Sequence, residues 1–194
     1  MSITVDPRTD ALIVVDVQRD FCPGGALAVP RGDEVVPVIN RLLALTDWLT
    51  VATRDWHPAD HCSFTAQGGI WPPHCVAGTD GAAFHHALDQ ARIRHIVSKA
   101  LTRDAEAYSG FQGTDLAALL ASRGIGRAFV CGLATDYCVK GTALDARRAG
   151  LDVVVIEDAI RGVEVKPGDC VKAIDEMRAS AIVLAPSAEL TPAQ

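Results

Sequence analysis

The chain lacks any run approaching the roughly 20 uninterrupted apolar residues of a membrane-spanning helix, which sets aside an integral helical membrane protein. It lacks a basic excess. Eighteen Lys and Arg stand against 24 Asp and Glu, a net charge of −6 with a pI near 5.4, so no basic face is expected to bind nucleic acid. None of its six cysteines (Cys22, Cys62, Cys75, Cys131, Cys138, Cys170) forms a CxxC pair, so a zinc ribbon is excluded. Met1–Asp10 carries two acids and no apolar core of a secretory signal. The expected location is therefore the cytoplasm, and the cysteines are expected to be free thiols. No internal repeat, low-complexity tract or linker interrupts the 194 residues, which read as one domain over 1–194. With 49% hydrophobic and 22% charged residues, that length can bury a full core.

Short β-rich apolar runs alternate with amphipathic segments. Strands are expected at Ala11–Val17, Thr50–Thr53, Arg94–Ser98, Arg127–Cys131, Asp152–Ile156 and Ala181–Leu184. Helices are expected at Asp33–Asp47, Asp115–Arg123, Thr135–Ala149 and Gly168–Arg178. Apolar strands separated by helices indicate a three-layer α/β/α domain around a mostly parallel sheet of about six strands. Ligands of such sheets bind beyond the carboxyl ends of the strands. The segment from Trp56 to Ala91, rich in His, Pro, Gly and Cys, reads instead as a long functional loop with at most a short helix near Gly81–Leu88.

The polar residues that end strands carry the chemical signal. Asp16, Asp55 and Lys99 close the first three strands, and Cys138 follows the fourth, so all four face one edge of the sheet. Taken singly, each could be a helix cap or a satisfied core group; four at one edge point to a site. Thr135 or Asp136 is a plausible N-cap, which places Cys138 in a first helical turn. The helix dipole there is expected to lower its pKa, and free main-chain N–H groups could stabilise an oxyanion. Asp16 is the best available base, its pKa raised by burial and pulled back by Lys99. Cys131 and Cys170 read as inert, and Cys62 and Cys75 as packing residues. Asp55, His57, His61 and His74 offer one carboxylate and two or three imidazoles, a set suited to one divalent ion of zinc, iron or manganese, although histidines in a polar loop are often only surface residues. His85, His86 and His95 lack a matching acid.

These residues resemble the nicotinamidase branch of the isochorismatase-like cysteine hydrolases over nearly the whole chain. The resemblance rests on Asp16-Val17-Gln18-Arg19-Asp20-Phe21-Cys22, on Arg54-Asp55-Trp56-His57 and Asp60-His61-Cys62-Ser63-Phe64, and on Trp71-Pro72-Pro73-His74-Cys75. Ser98-Lys99, Tyr108-Ser109-Gly110-Phe111 and Gly132-Leu133-Ala134-Thr135-Asp136-Tyr137-Cys138-Val139 complete it. It implies that Asp16 takes the thiol proton, Cys138 attacks a carboxamide carbon and Lys99 balances charge. It also implies an oxyanion hole at Ala134 and Cys138 after a cis Leu133–Ala134 peptide. Asp55, His57 and His74 would hold the metal, with His61 a fourth ligand in some members. Phe21 and Trp71 would sandwich the substrate ring, with Tyr108, Leu133, Ala134 and Tyr137 around it. The implied reaction deamidates nicotinamide, and pyrazinamide with it, in NAD salvage, by a cytoplasmic enzyme of a family that commonly forms homo-oligomers, with no nucleic-acid or membrane partner. Action on isochorismate or a carbamoyl amine, or a catalytically dead binding module, are the alternatives; the module would need loss of Asp16, Lys99 or Cys138, and all three are present.

Overall fold

A strand that is buried at every position can sit only in the middle of a sheet covered on both faces. β2 (Asp10–Val15, DALIVV) is such a strand. In the computed structural model, which describes residues 2–193, β2 pairs with β3 (Leu49–Asp55) on one side and β5 (Arg127–Leu133) on the other. β4 (His95–Lys99) extends the sheet beyond β3. β6 (Asp152–Arg161) and β7 (Val183–Ala185) extend it beyond β5, giving the order β4-β3-β2-β5-β6-β7. All five pairings are parallel. The chain winds outward from β2 to β4, then returns to β5 and winds the other way. The reversal leaves a crevice at the carboxyl ends of β2 and β5, the switch point where such sheets bind ligands.

The two faces separate by strand periodicity. Leu12 and Val14 of β2, with Phe129, Cys131 and Leu133 of β5, pack beneath α1 (Val35–Leu43). Ala11, Ile13, Val15, Ala128 and Val130 face the opposite layer. That layer is α2 (Leu116–Ser122), α3 (Lys140–Arg148) and α4 (Asp169–Ala179). Pro37 falls in the first turn of α1, where its missing N–H is harmless. The sheet and its three-layer arrangement match the expectation from the sequence.

Some local expectations are corrected. Among the described residues Gly81–Leu88 contains no helix. Its main chain bonds to the segment after β2 instead: Arg19 N–H donates to Ala83 O, Asp20 N–H to Gly81 O and His85 N–H to Val17 O. The expected helix at Asp33–Asp47 is a 3-10 turn (Gly32–Glu34) running into α1, which ends at Leu43. The expected helix from Thr135 opens as a π-helical turn over Thr135–Val139 before α3. A short parallel pair, β1 (Ile3–Val5) with β8 (Leu190–Pro192), was not legible, because three-residue strands carry too little periodicity.

Candidate active site

The strand ends converge as their order demands. Asp55 and Lys99 are register partners at the tips of β3 and β4. Asp16 follows β2 with a left-handed φ of 47°, which aspartate tolerates better than most residues, and its carboxylate accepts from Thr53 Oγ1 at 2.6 Å. Lys99 Nζ lies 2.9 Å from Asp16 Oδ2, 2.5 Å from Asp55 Oδ1, 3.0 Å from Ala107 O and 3.5 Å from Cys138 Sγ. The side chains of Asp16 and Lys99 are wholly buried. Ligating atoms of Asp16, Asp55 and Cys138 lie within 4.8 Å of one another, and the Lys99 ammonium occupies the place a cation would take among them. Asp16 Oδ2 faces the Lys99 ammonium at ion-pair distance and stands beside the Cys138 thiol.

Burial sets the ionisation of this group. It raises the Asp16 carboxyl above its ordinary 3.8, Lys99 opposing and Asp55 adding to the rise. Burial also acts against ionised Asp55, but Lys99 and His57 outweigh it and hold that carboxyl well below the usual range. The Lys99 ammonium is disfavoured by burial and rescued by the two carboxylates, which keep it charged. The Cys138 thiol is pushed well up by burial, with Asp16 and Asp55 adding to the rise and Lys99 opposing it. This corrects the expected lowering by a helix dipole: the turn is buried, and two carboxylates face the sulfur. Burial also pushes up the thiols of Cys75 and Cys131, of Cys22 to about 11 and of Cys170 to about 12. All six cysteines are free. Cys138 is set apart by its base and its ammonium neighbour, not by acidity.

The turn that presents Cys138 follows a cis Leu133–Ala134 peptide. Neither Thr135 nor Asp136 caps it; the N-cap position is Ala134, whose carbonyl accepts from Tyr137 and Val139 N–H. Gly132 before it has φ +113°, and a Cβ there would lie 2.1 Å from Val15 O. Only glycine lets β5 approach β2 so closely at the switch point.

Asp55, His57 and His74 are buried, with one ligating atom each inside a 4.8 Å group. His57 Nδ1 faces Ala100 O at 3.3 Å and His74 Nδ1 faces Pro72 O at 2.8 Å. Donation from Nδ1 to a carbonyl leaves both Nε2 atoms as lone-pair donors, the usual outer support of metal-bound imidazole. One carboxylate and two oriented imidazoles fit a divalent ion with open positions. His61 stands beside this trio rather than in it. Its ring stacks on His57 at 4.2 Å, Nδ1 bonds Ser63 Oγ at 2.7 Å and accepts from Ser63 N–H, and Nε2 bonds Ala105 O at 3.2 Å. Phe64 sets its edge against His57 and His74. Burial lowers the pKa of His74, which favours the neutral, ligating form.

Between the thiol and the trio lies a narrow pocket of about 30 Å³, a slot well below the usual volume of ligand cavities. Phe21, Trp71, Tyr108, Ala134, Tyr137 and Cys138 line it together with Asp55 and His74. Trp71 Nε1–H donates to Tyr108 Oη at 3.2 Å, and Tyr137 packs against both rings. Leu133 does not contribute its side chain, which is fully buried in the core under α1. Leu27 and Val163 line the pocket and carried no signal in the sequence. Gln18 belongs to the motif that follows β2. Its buried carboxamide clamps Asp55, Oε1 accepting from Asp55 N–H and Nε2 donating to Asp55 O, each at 2.8 Å. A polar side chain just past a buried strand was its available signal.

Residues 10–189 match the Isochorismatase domain. The chain is 42% identical over 201 residues to a nicotinamidase of Escherichia coli (strain K12), covering 90% of this chain and 93% of that protein. Its fold superposes with a TM-score of 0.95 on PnC1 from L. infantum in complex with nicotinate, at 40% identity and complete coverage of both chains. Pyrazinamidase of Pyrococcus horikoshii in complex with zinc gives a TM-score of 0.85 and 49% identity, over 91% of this chain and 98% of that one. The chain belongs to the isochorismatase domain family of hydrolases, and within that family it groups with the nicotinamidases.

Proposed function

We propose that the chain hydrolyses nicotinamide to nicotinate and ammonia, and pyrazinamide to pyrazinoate, in NAD salvage, with Cys138 as nucleophile. The observation that carries this reading is the contact of one buried ammonium with both carboxylates and the thiol, beside an aromatic slot that ends at His74 and Asp55. Asp16, made a stronger base by the burial that raises its pKa, takes the thiol proton as Sγ attacks the carboxamide carbon. Lys99 balances the negative charge that passes from carboxylate to thiolate. The first-turn N–H groups near Ala134 and Cys138 are the donors suited to the tetrahedral oxyanion. Asp16 then returns its proton to the departing nitrogen, and ammonia leaves a thioester. A water, deprotonated by Asp16, attacks the thioester, and the acid and the free thiol result.

Phe21, Trp71 and Tyr108 bind and orient the ring, which their apolar faces shield from water. Asp55, His57 and His74 would hold the divalent ion, zinc, iron or manganese, with His61 as outer support rather than a fourth ligand in this arrangement. When bound there, the ion supplies a Lewis acid for the ring nitrogen. Among the described residues no helix is long and apolar enough to cross a membrane, and a cytoplasmic location accords with this chemistry. The test is ammonia release from nicotinamide by the metal-loaded protein, with Cys138→Ala inactive. Absence of turnover by the wild type with metal present would overturn the substrate assignment.

A further inference from the structure

The loop that follows β6 reaches the pocket through Val163. Among the described residues, Val163–Val165 take no part in main-chain to main-chain hydrogen bonds. Val163 and Glu164 donate their N–H groups instead to one side chain, that of Asp136, with Val163 N–H to Oδ1 at 3.0 Å and Glu164 N–H to Oδ2 at 2.8 Å. Asp136 is 7% exposed and lies two residues before the nucleophile, inside the π-helical turn. The loop is closed on itself elsewhere: Gly168 N–H donates to Glu164 Oε1 at 2.7 Å, and Lys166 N–H to Asp169 Oδ2 at 2.9 Å. Glu164 holds a left-handed φ of 56°. Gly162 permits the close approach, since a Cβ there would meet Cys170 Sγ at 2.0 Å and Asp136 Oδ1 at 3.0 Å.

From these contacts we infer that Asp136 is a positioning residue that latches the Gly162–Glu164 segment to the nucleophile turn as a wall of the pocket, and that Val163 on this wall limits the ring the site accepts. The inference rests on the proposed function for its choice of substrate. A carboxylate accepting two successive amides is the strong kind of hydrogen bonding, and it spans elements 27 and 28 residues apart in sequence. Asp136 touches neither the thiol nor the carboxylates in the site, so its loss should act on binding and leave the chemical step in place. Val163 presents a branched apolar side chain to the pocket, so the wall limits by its bulk how large a ring fits at that edge.

The test compares the metal-loaded wild type with Asp136→Ala, Asp136→Asn and Val163→Ala, by steady-state kinetics on nicotinamide and a ring-methylated nicotinamide, and by amide hydrogen exchange. Asp136→Ala is expected to raise KM about tenfold with kcat within about threefold, the signature of lost uniform binding. The Val163 and Glu164 amides should exchange at least about tenfold faster while those of β2 and β5 stay protected. Asp136→Asn, which keeps one acceptor oxygen, should fall between. Val163→Ala should raise kcat/KM for the methylated ring relative to nicotinamide. Unchanged exchange at the two amides, a loss in kcat alone, or unchanged ring selectivity in Val163→Ala would overturn the inference. If Asp136→Ala does not fold, Asp136→Asn and Val163→Ala decide the matter by the same readouts. A wild type that does not turn over nicotinamide would refute the proposed function, whereas the exchange of the Val163 and Glu164 amides tests the latch without any substrate.

Discussion

Replacing Asp16 by Asn removes the base while leaving most of the buried charge cluster in place, so rate and stability should separate. In the wild type, one ammonium is shared by two carboxylates at 2.9 and 2.5 Å. Without the Asp16 charge, Lys99 keeps Asp55 and the Ala107 carbonyl at 3.0 Å, and no buried ion is left unpaired. The stability lost is then that of hydrogen bonds to a charged group, about 1.5–3 kcal/mol, rather than the larger cost of stranding a charge. The rate loses a general base, about 10²–10⁴-fold in kcat, which is about 3–5 kcal/mol of transition-state stabilisation. The Cys138 thiol, relieved of one neighbouring carboxylate, should ionise more readily even as turnover collapses. Lys99→Met makes the contrast. It strands the buried Asp16 carboxylate and takes one partner from Asp55, and should cost at least about 3–5 kcal/mol in stability. Ammonia release and urea unfolding of the metal-loaded proteins give the two quantities. If Asp16→Asn keeps kcat within tenfold of wild type, Asp16 is not the base. If it destabilises as much as Lys99→Met, the compensation by Asp55 is wrong.

Three further outcomes follow from the same geometry. Because burial raises the Asp16 pKa, its carboxylate form is lost as pH falls through a value above the ordinary 3.8; kcat/KM should therefore show an acid limb displaced upward, and a limb at or below 3.8 would contradict the assignment. Stripping the metal with a chelator should weaken nicotinate binding by more than about tenfold in calorimetry, since the proposed Lewis-acid contact to the ring nitrogen would be lost. Alkylation of Cys138 should persist in that stripped protein because Lys99 and Asp16 remain in place; equal binding with and without metal would remove the metal from substrate recognition. Gly132→Ala forces a side chain onto φ +113° and against Val15 O at 2.1 Å, so its urea midpoint should fall by the equivalent of more than about 3 kcal/mol, and an unchanged midpoint would mean the two central strands can separate there.

Several features needed no coordinates. The wholly apolar runs at Ala11–Val15 and Val153–Ile156 can be buried only in a covered parallel sheet. The acids, lysine and cysteine at strand ends can then meet only at one edge, and Asp16, Asp55, Lys99 and Cys138 do so. His57 and His74 stood in the sequence among the candidate ligands with Asp55 and His61, the resemblance singled them out, and Asp55, His57 and His74 do come together. What failed in the sequence were local arguments applied to residues whose partners lie far away. Asp136 has the composition of an N-cap, yet its oxygens are taken by amides of Val163 and Glu164. Cys138 has the position of an acidic thiol, yet burial and two carboxylates raise it.

The sequence by itself determined the sheet, its covering layers and the set of reactive groups, because hydrophobic period and strand-end polarity are local properties of the chain. Only the tertiary structure decided how those groups behave. It made Lys99 the shared counter-ion, engaged both ring nitrogens of His61 with Ser63 and Ala105, buried Leu133 and brought Val163 to the pocket. Protonation, tautomer and pocket shape depend on distances between residues tens of positions apart in the chain, and those distances exist only once the strands have taken their order.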